Sequence, residues 1–189
     1  MAPQRIERRI HPQPRLREIA RHLDQRLEQL DRTALAIANS RGPETLAGLA
    51  KESGAKPVTA REAARAGEVV IVTIPLKNVA RLPADLFAGV PADVVVVDTN
   101  NYYPRNRDCR IEAIENGTTE SRWVSDTLRR PVVRAFNNIY ARHLLELGKP
   151  KGAAGRIALP WRATTSGRRP FRPLDRSGLT CDRRGGAST

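Results

Sequence analysis

The chain has 189 residues, 40% hydrophobic and 4% aromatic, with 33 Lys and Arg against 20 Asp and Glu and a net charge of +13. That length holds one ordinary domain with a core and small appendages, and it excludes two full domains. Cys109 and Cys181 stand far apart, outside any metal-ligand or redox spacing, and no apolar run approaches the ~20 residues that cross a bilayer, so a soluble cytoplasmic protein is expected.

The opening stretch "MAPQRIERRIHPQP" favours neither helix nor strand. From 15 to 32, Leu16, Ile19, Ala20, Leu23, Leu27 and Leu30 recur at spacings of three and four, the period of an amphipathic helix. "ALAIAN" (34–39) follows as a short apolar strand. Gly42-Pro43-Glu44 then puts a proline and an acid where a helix begins, predicting a helix through "ETLAGLAKESG". A short strand around Val58 precedes Thr59, which is placed to cap a helix over 61–66. "VVIVTI" (69–74) and "VVVVD" (94–98) are apolar, β-branched and without alternation, as in strands buried on both faces, and Pro75 closes the first. "PVVRAF" (131–136) is a third such strand, and helical stretches are predicted over 83–88, 109–115, 121–128 and 139–147. Strands alternating with helices give an α/β fold with a parallel sheet covered on both sides.

Beyond Pro160 the pattern stops. Residues 161–189 mix seven arginines with Gly, Pro, Ser and Thr, and they read as a disordered or loosely attached basic tail. The net charge divides as +3 over 1–33, +5 over 34–160 and +5 over 161–189. With no period to array the basic residues on one face, non-specific attraction to polyanions is expected rather than a specific nucleic-acid partner. His11, His22 and His143 have no neighbours in sequence that make a catalytic or metal constellation.

In a doubly wound sheet, ligands bind beyond the carboxyl ends of the strands at the switch of strand order. The residues in those positions are Asn39-Ser40-Arg41, Thr73-Ile74-Pro75, Asp98-Thr99-Asn100-Asn101 and Asn137-Asn138, all small, polar or turn-forming sets. An NAD-selective unit ends its second strand on an acid that binds the ribose hydroxyls. Here Ser40 and Arg41 offer a hydroxyl and a guanidinium fork, which suit a phosphate dianion. Each set also has a plainer reading: a strand-to-helix turn with an exposed arginine, a proline that stops a strand, an Asx-rich turn.

In this order and at these intervals, "IANSRGPETL", "VVIVTIPL", "VVVVDTNNYYP" and "VVRAFNNIYARHL" resemble the NADP reductases that depend on coenzyme F420, a deazaflavin. The resemblance covers about 34–160. It implies a Rossmann-like, doubly wound parallel sheet that binds NADP(H) and transfers a hydride between NADPH and a deazaflavin or related small-molecule acceptor. Carried across residue by residue, it implies that Ser40 and Arg41 hold the 2′-phosphate and that Asn39 shapes the turn. Thr73, Ile74 and Pro75 would line the groove, Thr99 and Asn100 would lie near the nicotinamide, and Asn137 would face the second substrate. Hydride transfer is the cofactors' own chemistry, so no catalytic acid, base or metal is assigned. No membrane partner is expected, and a homodimer stays open.

Two departures accompany the resemblance. The family opens with an apolar strand and a G-x-G-x-x-G-type loop that cradles the pyrophosphate. Residues 1–33 contain no glycine, so this strand and loop are expected to be lacking, the lost strand falling between those at 34–39 and 69–74. After "RIALP" the family continues much like "VAGDD", where this chain has "WRATT". Loss of one base at the Pro160 codon converts one into the other, so 161–189 is expected to be a frameshifted reading. The resulting organisation is a divergent segment over 1–33, an NAD(P)-binding domain over 34–160 and a basic tail over 161–189. Two other functions stay open: a non-catalytic remnant or interaction protein without cofactor, and a basic nucleic-acid-associated protein.

Overall fold

The computed structural model describes residues 35–149, 153–164 and 180–183. The expected helix over 15–32 and most of the expected tail lie outside them. Strand β1 (Ala36–Ile37) leads into a 3-10 turn, Pro43–Leu46, and helix α1 (Ala47–Ser53). Gly42 enters the turn at φ 101°, with Pro43 next, and a side chain at Gly42 would run into the Glu44 carboxylate. Strand β2 (Lys56–Pro57) lies one residue before the expected Val58 and pairs in parallel with β1.

Helix α2 (Ala60–Arg65) starts in a reciprocal cap. The Thr59 hydroxyl accepts from the Glu62 amide at 3.3 Å, while the Glu62 carboxylate accepts from the Thr59 amide at 2.8 Å. Strands β3 (Val69–Val72), β4 (Val95–Asp98) and β5 (Val133–Arg134) are parallel neighbours. Helices α3 (Glu112–Glu115), α4 (Glu120–Leu128) and α5 (Ala141–Glu146) fall within or overlap three of the predicted helical stretches. The fourth, 83–88, is a run of turns, with the Leu86 amide bonded to the Pro83 carbonyl at 2.9 Å. A further 3-10 turn at Leu76–Arg81 has no counterpart in the sequence reading.

The sheet separates the core into two layers by simple alternation. Val70, Val72, Val96 and Val132 face one way, onto Leu76, Val79, Val124 and Leu128. Val69, Ile71, Val95, Val97, Val133 and Ala135 face the other way, with Trp161. Of the expected fully buried strand over 69–74, only Val72 is buried and the regular strand stops there. The half-burial follows from position, since among the described residues β3 is the edge of its sheet and pairs with β4 alone.

Two findings bear on the ends of the domain. Strand β6 (Ala158–Ala163) crosses Pro160 without a break and pairs antiparallel with β5, so Trp161–Ala163 are sheet residues rather than loose tail. Apolar burial decides this, since Trp161 is buried against Val97 and Val133. Strand β7 (Thr180–Arg183) continues the sheet in parallel with β6. Second, β1–β2 form one sheet and β3 to β7 another, and no ladder joins them among the described residues. The break lies between β1 and β3, where the sequence reading places the missing strand.

Candidate functional site

The turn after β1 is organised by Asn39. Its Oδ1 accepts from the Arg41 amide at 2.9 Å, and its Nδ2 donates to Thr45 Oγ1 at 2.8 Å, while Thr45 Oγ1 donates to the Gly42 carbonyl at 2.8 Å. Asn39 therefore shapes this turn, as its Asx chemistry predicts. Ser40 and Arg41 are exposed, and Arg41 has no ion pair among the described residues.

Beyond β3 and β4 the expected residues meet directly. Asn100 is 4% exposed, and its Oδ1 accepts from the Ile74 amide at 2.9 Å. Its own amide donates to Asp98 Oδ1 at 3.0 Å, which closes the turn at the end of β4. Asn100 Nδ2 is buried without a hydrogen-bond partner among the described residues. Thr99 is tied to β3, its amide donating to the Val72 carbonyl at 3.1 Å. Thr73 and Pro75 are half-buried on either side of Ile74.

The third meeting point joins Asn137 to Asn101. Asn101 Nδ2 donates to the Asn137 carbonyl at 2.8 Å, and Asn137 Nδ2 donates to Asn101 Oδ1 at 3.3 Å. No hydrogen bond links Asn39–Arg41 to either of the other two groups among the described residues. The structure thus unites Thr73–Pro75 with Thr99–Asn100, and Asn101 with Asn137, and leaves the Ser40–Arg41 turn on the other sheet.

Sequence reasoning named Asp98 among the residues beyond β4 but missed Arg134, Glu120 and Asp108, which hold these residues. Arg134 donates to Asp98 Oδ2 at 3.4 Å, to Asn101 Oδ1 at 3.3 Å and to the Glu120 carboxylate. Asp98 is fully buried, and burial pushes its pKa up to about 6 against the opposing Asn100 amide and Arg134 charge. Asp108, also buried, accepts from the Tyr103 amide at 2.9 Å and the Lys77 amide at 3.3 Å. Burial works to raise its pKa, but Arg107 and these two amides overcome it and hold the carboxyl below its usual range. Asp108 so fastens the loop after β4 to the turn after β3.

The family model described as NADP oxidoreductase, coenzyme F420-dependent, matches residues 18–102. The resemblance is to the F420-dependent NADP oxidoreductases. This oxidoreductase match starts inside the stretch read as divergent and ends at Tyr102, so it takes in Ser40, Arg41, Ile74 and Asn100 and stops before Asn137. Among solved structures, a hypothetical protein from Sinorhizobium meliloti is similar with a TM-score of 0.63 and 25% identity, over 88% of this chain and 78% of that one. A putative F420-dependent NADP reductase from Arthrobacter sp. FB24 follows at 0.57 and 16%, over 79% and 70%. A pyrroline-5-carboxylate reductase from Coxiella burnetii gives 0.57 and 14%, over 89% of this chain and 56% of that one. No curated protein matches the chain. The fold is that of NAD(P)-dependent oxidoreductases, Rossmann-like and α/β, and the family is associated with a nicotinamide nucleotide. Among the described residues no helix is long and apolar enough to cross a membrane.

Proposed function

We propose that the chain binds NADP(H) and presents it for hydride exchange with a deazaflavin of the F420 type. The observation that carries this reading is Asn100 Nδ2, a buried donor without a partner beside the residues expected to line the cofactor groove. A buried amide donor left without an acceptor costs about 1–3 kcal/mol. The Asp98 carboxyl lies beside Nδ2, and a ligand acceptor is proposed to take up this donor on binding. The guanidinium fork of Arg41 and the hydroxyl of Ser40, both exposed, are donors of the kind that fit a phosphate dianion. When bound, the nicotinamide supplies the hydride chemistry. The chain's part is to bind at Ser40 and Arg41, to orient through Asn100, and to keep Asn137 in place for the second substrate.

Residues 1–41 hold no glycine, so they offer no glycine loop to the pyrophosphate. The grip then rests on few charge-assisted hydrogen bonds, each contributing about 1.5–3 kcal/mol, and weak, micromolar binding is expected. Titration with NADPH and NADH, on the chain and on Arg41→Ala, tests the reading. NADPH is expected to bind about tenfold tighter than NADH, with the preference lost in the variant. Absence of NADPH binding by the unaltered chain would overturn it.

A further inference from the structure

Asn101 and Asn137 stand 36 residues apart, yet each bonds the other. Asn101 Oδ1 is shared between Asn137 Nδ2 and the Arg134 guanidinium, both at 3.3 Å. The same guanidinium reaches Asp98 at the end of β4 and Glu120 in the first turn of α4. Glu120 in turn accepts from the Tyr102 amide at 3.2 Å. Three pieces of chain, namely the end of β4, the loop after it and the start of α4, therefore meet on one side chain, and the segment after β5 joins them through Asn101. Phe136, between Arg134 and Asn137, has φ 62°, a left-handed conformation uncommon for an aromatic residue. Strained backbone of this kind persists where surrounding contacts over-determine it.

We infer that Arg134 is the positioning residue of the second-substrate side, its planar fork fixing Asn101 and, through it, Asn137. This rests on the reading that Asn137 faces the hydride acceptor. A guanidinium suits the task because it bonds in several directions within one plane, where an ammonium is a point charge. Asp98 and Glu120 bond it and offset its charge, Arg162 is its like-charged register partner on β6, and Arg107 separately donates to the Asn101 carbonyl.

The test uses the full chain and two readouts. In the ligand-free protein, the side-chain amide resonances of Asn101 and Asn137 are expected to shift together in Arg134→Gln while those of Asn39 stay. Glu120→Gln, a milder change at a partly exposed partner, should move them in the same direction. Arg134→Lys keeps the charge and is expected not to restore them. In hydride transfer from NADPH to F420, Arg134→Gln should raise the KM for F420 about tenfold with NADPH affinity unchanged, and Asn137→Ala added to it should give little further loss. Unmoved Asn101 and Asn137 resonances, restoration by Arg134→Lys, or independent losses in the double variant would overturn the inference. Absence of turnover by the unaltered protein would instead remove the reading of the acceptor side, while the amide resonances still decide the clamp.

Discussion

At the scale of single residues, the two ends of the Asn100 side chain have different tasks in the proposed function. Its Oδ1 accepts from the Ile74 amide, and its buried Nδ2, beside Asp98, is the donor proposed for the ligand. Asn100→Asp keeps the acceptor and removes the donor. NADPH affinity is expected to fall by about tenfold or more, read by titration, with the far-UV spectrum preserved. The position of Asn100 was legible in the sequence because it directly follows a buried strand, and the Asx-turn chemistry also read there is what its Oδ1 and amide perform. Arg134 was not. It interrupts "PVVRAF" by one position, and its partners Glu120 and Asp98 lie 14 and 36 residues away, so only the folded sheet shows what it binds. Asp108 escaped for the same reason, since its main-chain partner Lys77 is 31 residues distant.

Among elements, local chemistry that the sequence states explicitly is what the structure keeps. Thr59 forms the cap read from the sequence, with Glu62 completing it reciprocally, and Gly42-Pro43 opens the turn before α1. Thr59→Ala is expected to lower stability by about 1 kcal/mol in denaturant titration. The end of α4 carries the opposite kind of choice. Arg129 occupies the left-handed cap position at φ 50°, where glycine has no Cβ penalty. Arg129→Gly is therefore expected to raise stability by up to about 1 kcal/mol in the same assay. Strand lengths were read less well. Composition marks 69–74 and 131–136 as strand throughout, but the ladders stop at Val72 and Arg134, because the following residues turn to serve hydrogen bonds across the carboxyl edge. The turn at Leu76–Arg81 left no periodic signal; its Leu76 and Val79 are buried at a spacing of three, too short a run to distinguish from loop.

For the whole molecule, two global terms stand out. Asp98 has its pKa raised from 3.8 to about 6 by burial, so the folded state holds its proton more firmly than the unfolded chain. The sign follows: the stabilisation is complete below the unfolded value and is lost as pH rises through about 6. Relative to Asp98→Asn, the unaltered protein should lose on the order of 2–3 kcal/mol between about pH 4 and pH 7 in denaturant titrations. The second term is Trp161, which fills the layer between Val97 and Val133 although its sequence surroundings read as tail. Trp161→Ala is expected to cost about 3–5 kcal/mol, measured by the same titrations. Strand β6 runs unbroken through Pro160, so the frame change inferred from "WRATT" would begin in mid-strand, and resequencing across that codon decides it.

The division of the sheet between β1 and β3 has a consequence for cooperativity. Without a shared ladder among the described residues, the β1–β2 pair is joined to the rest through α2. Arg61 bonds Asp85, Arg65 bonds the Ala88 carbonyl, and Ala64 packs on Leu86 and Val90. Local opening of β1 and β2 is therefore expected to cost less than opening of β4. Amides of β1 and β2 are then expected to exchange with deuterium sooner than those of β4. A dinucleotide held at both the Asn39–Arg41 turn and the Asn100 turn would be a molecular stitch, drawing the two exchange rates together.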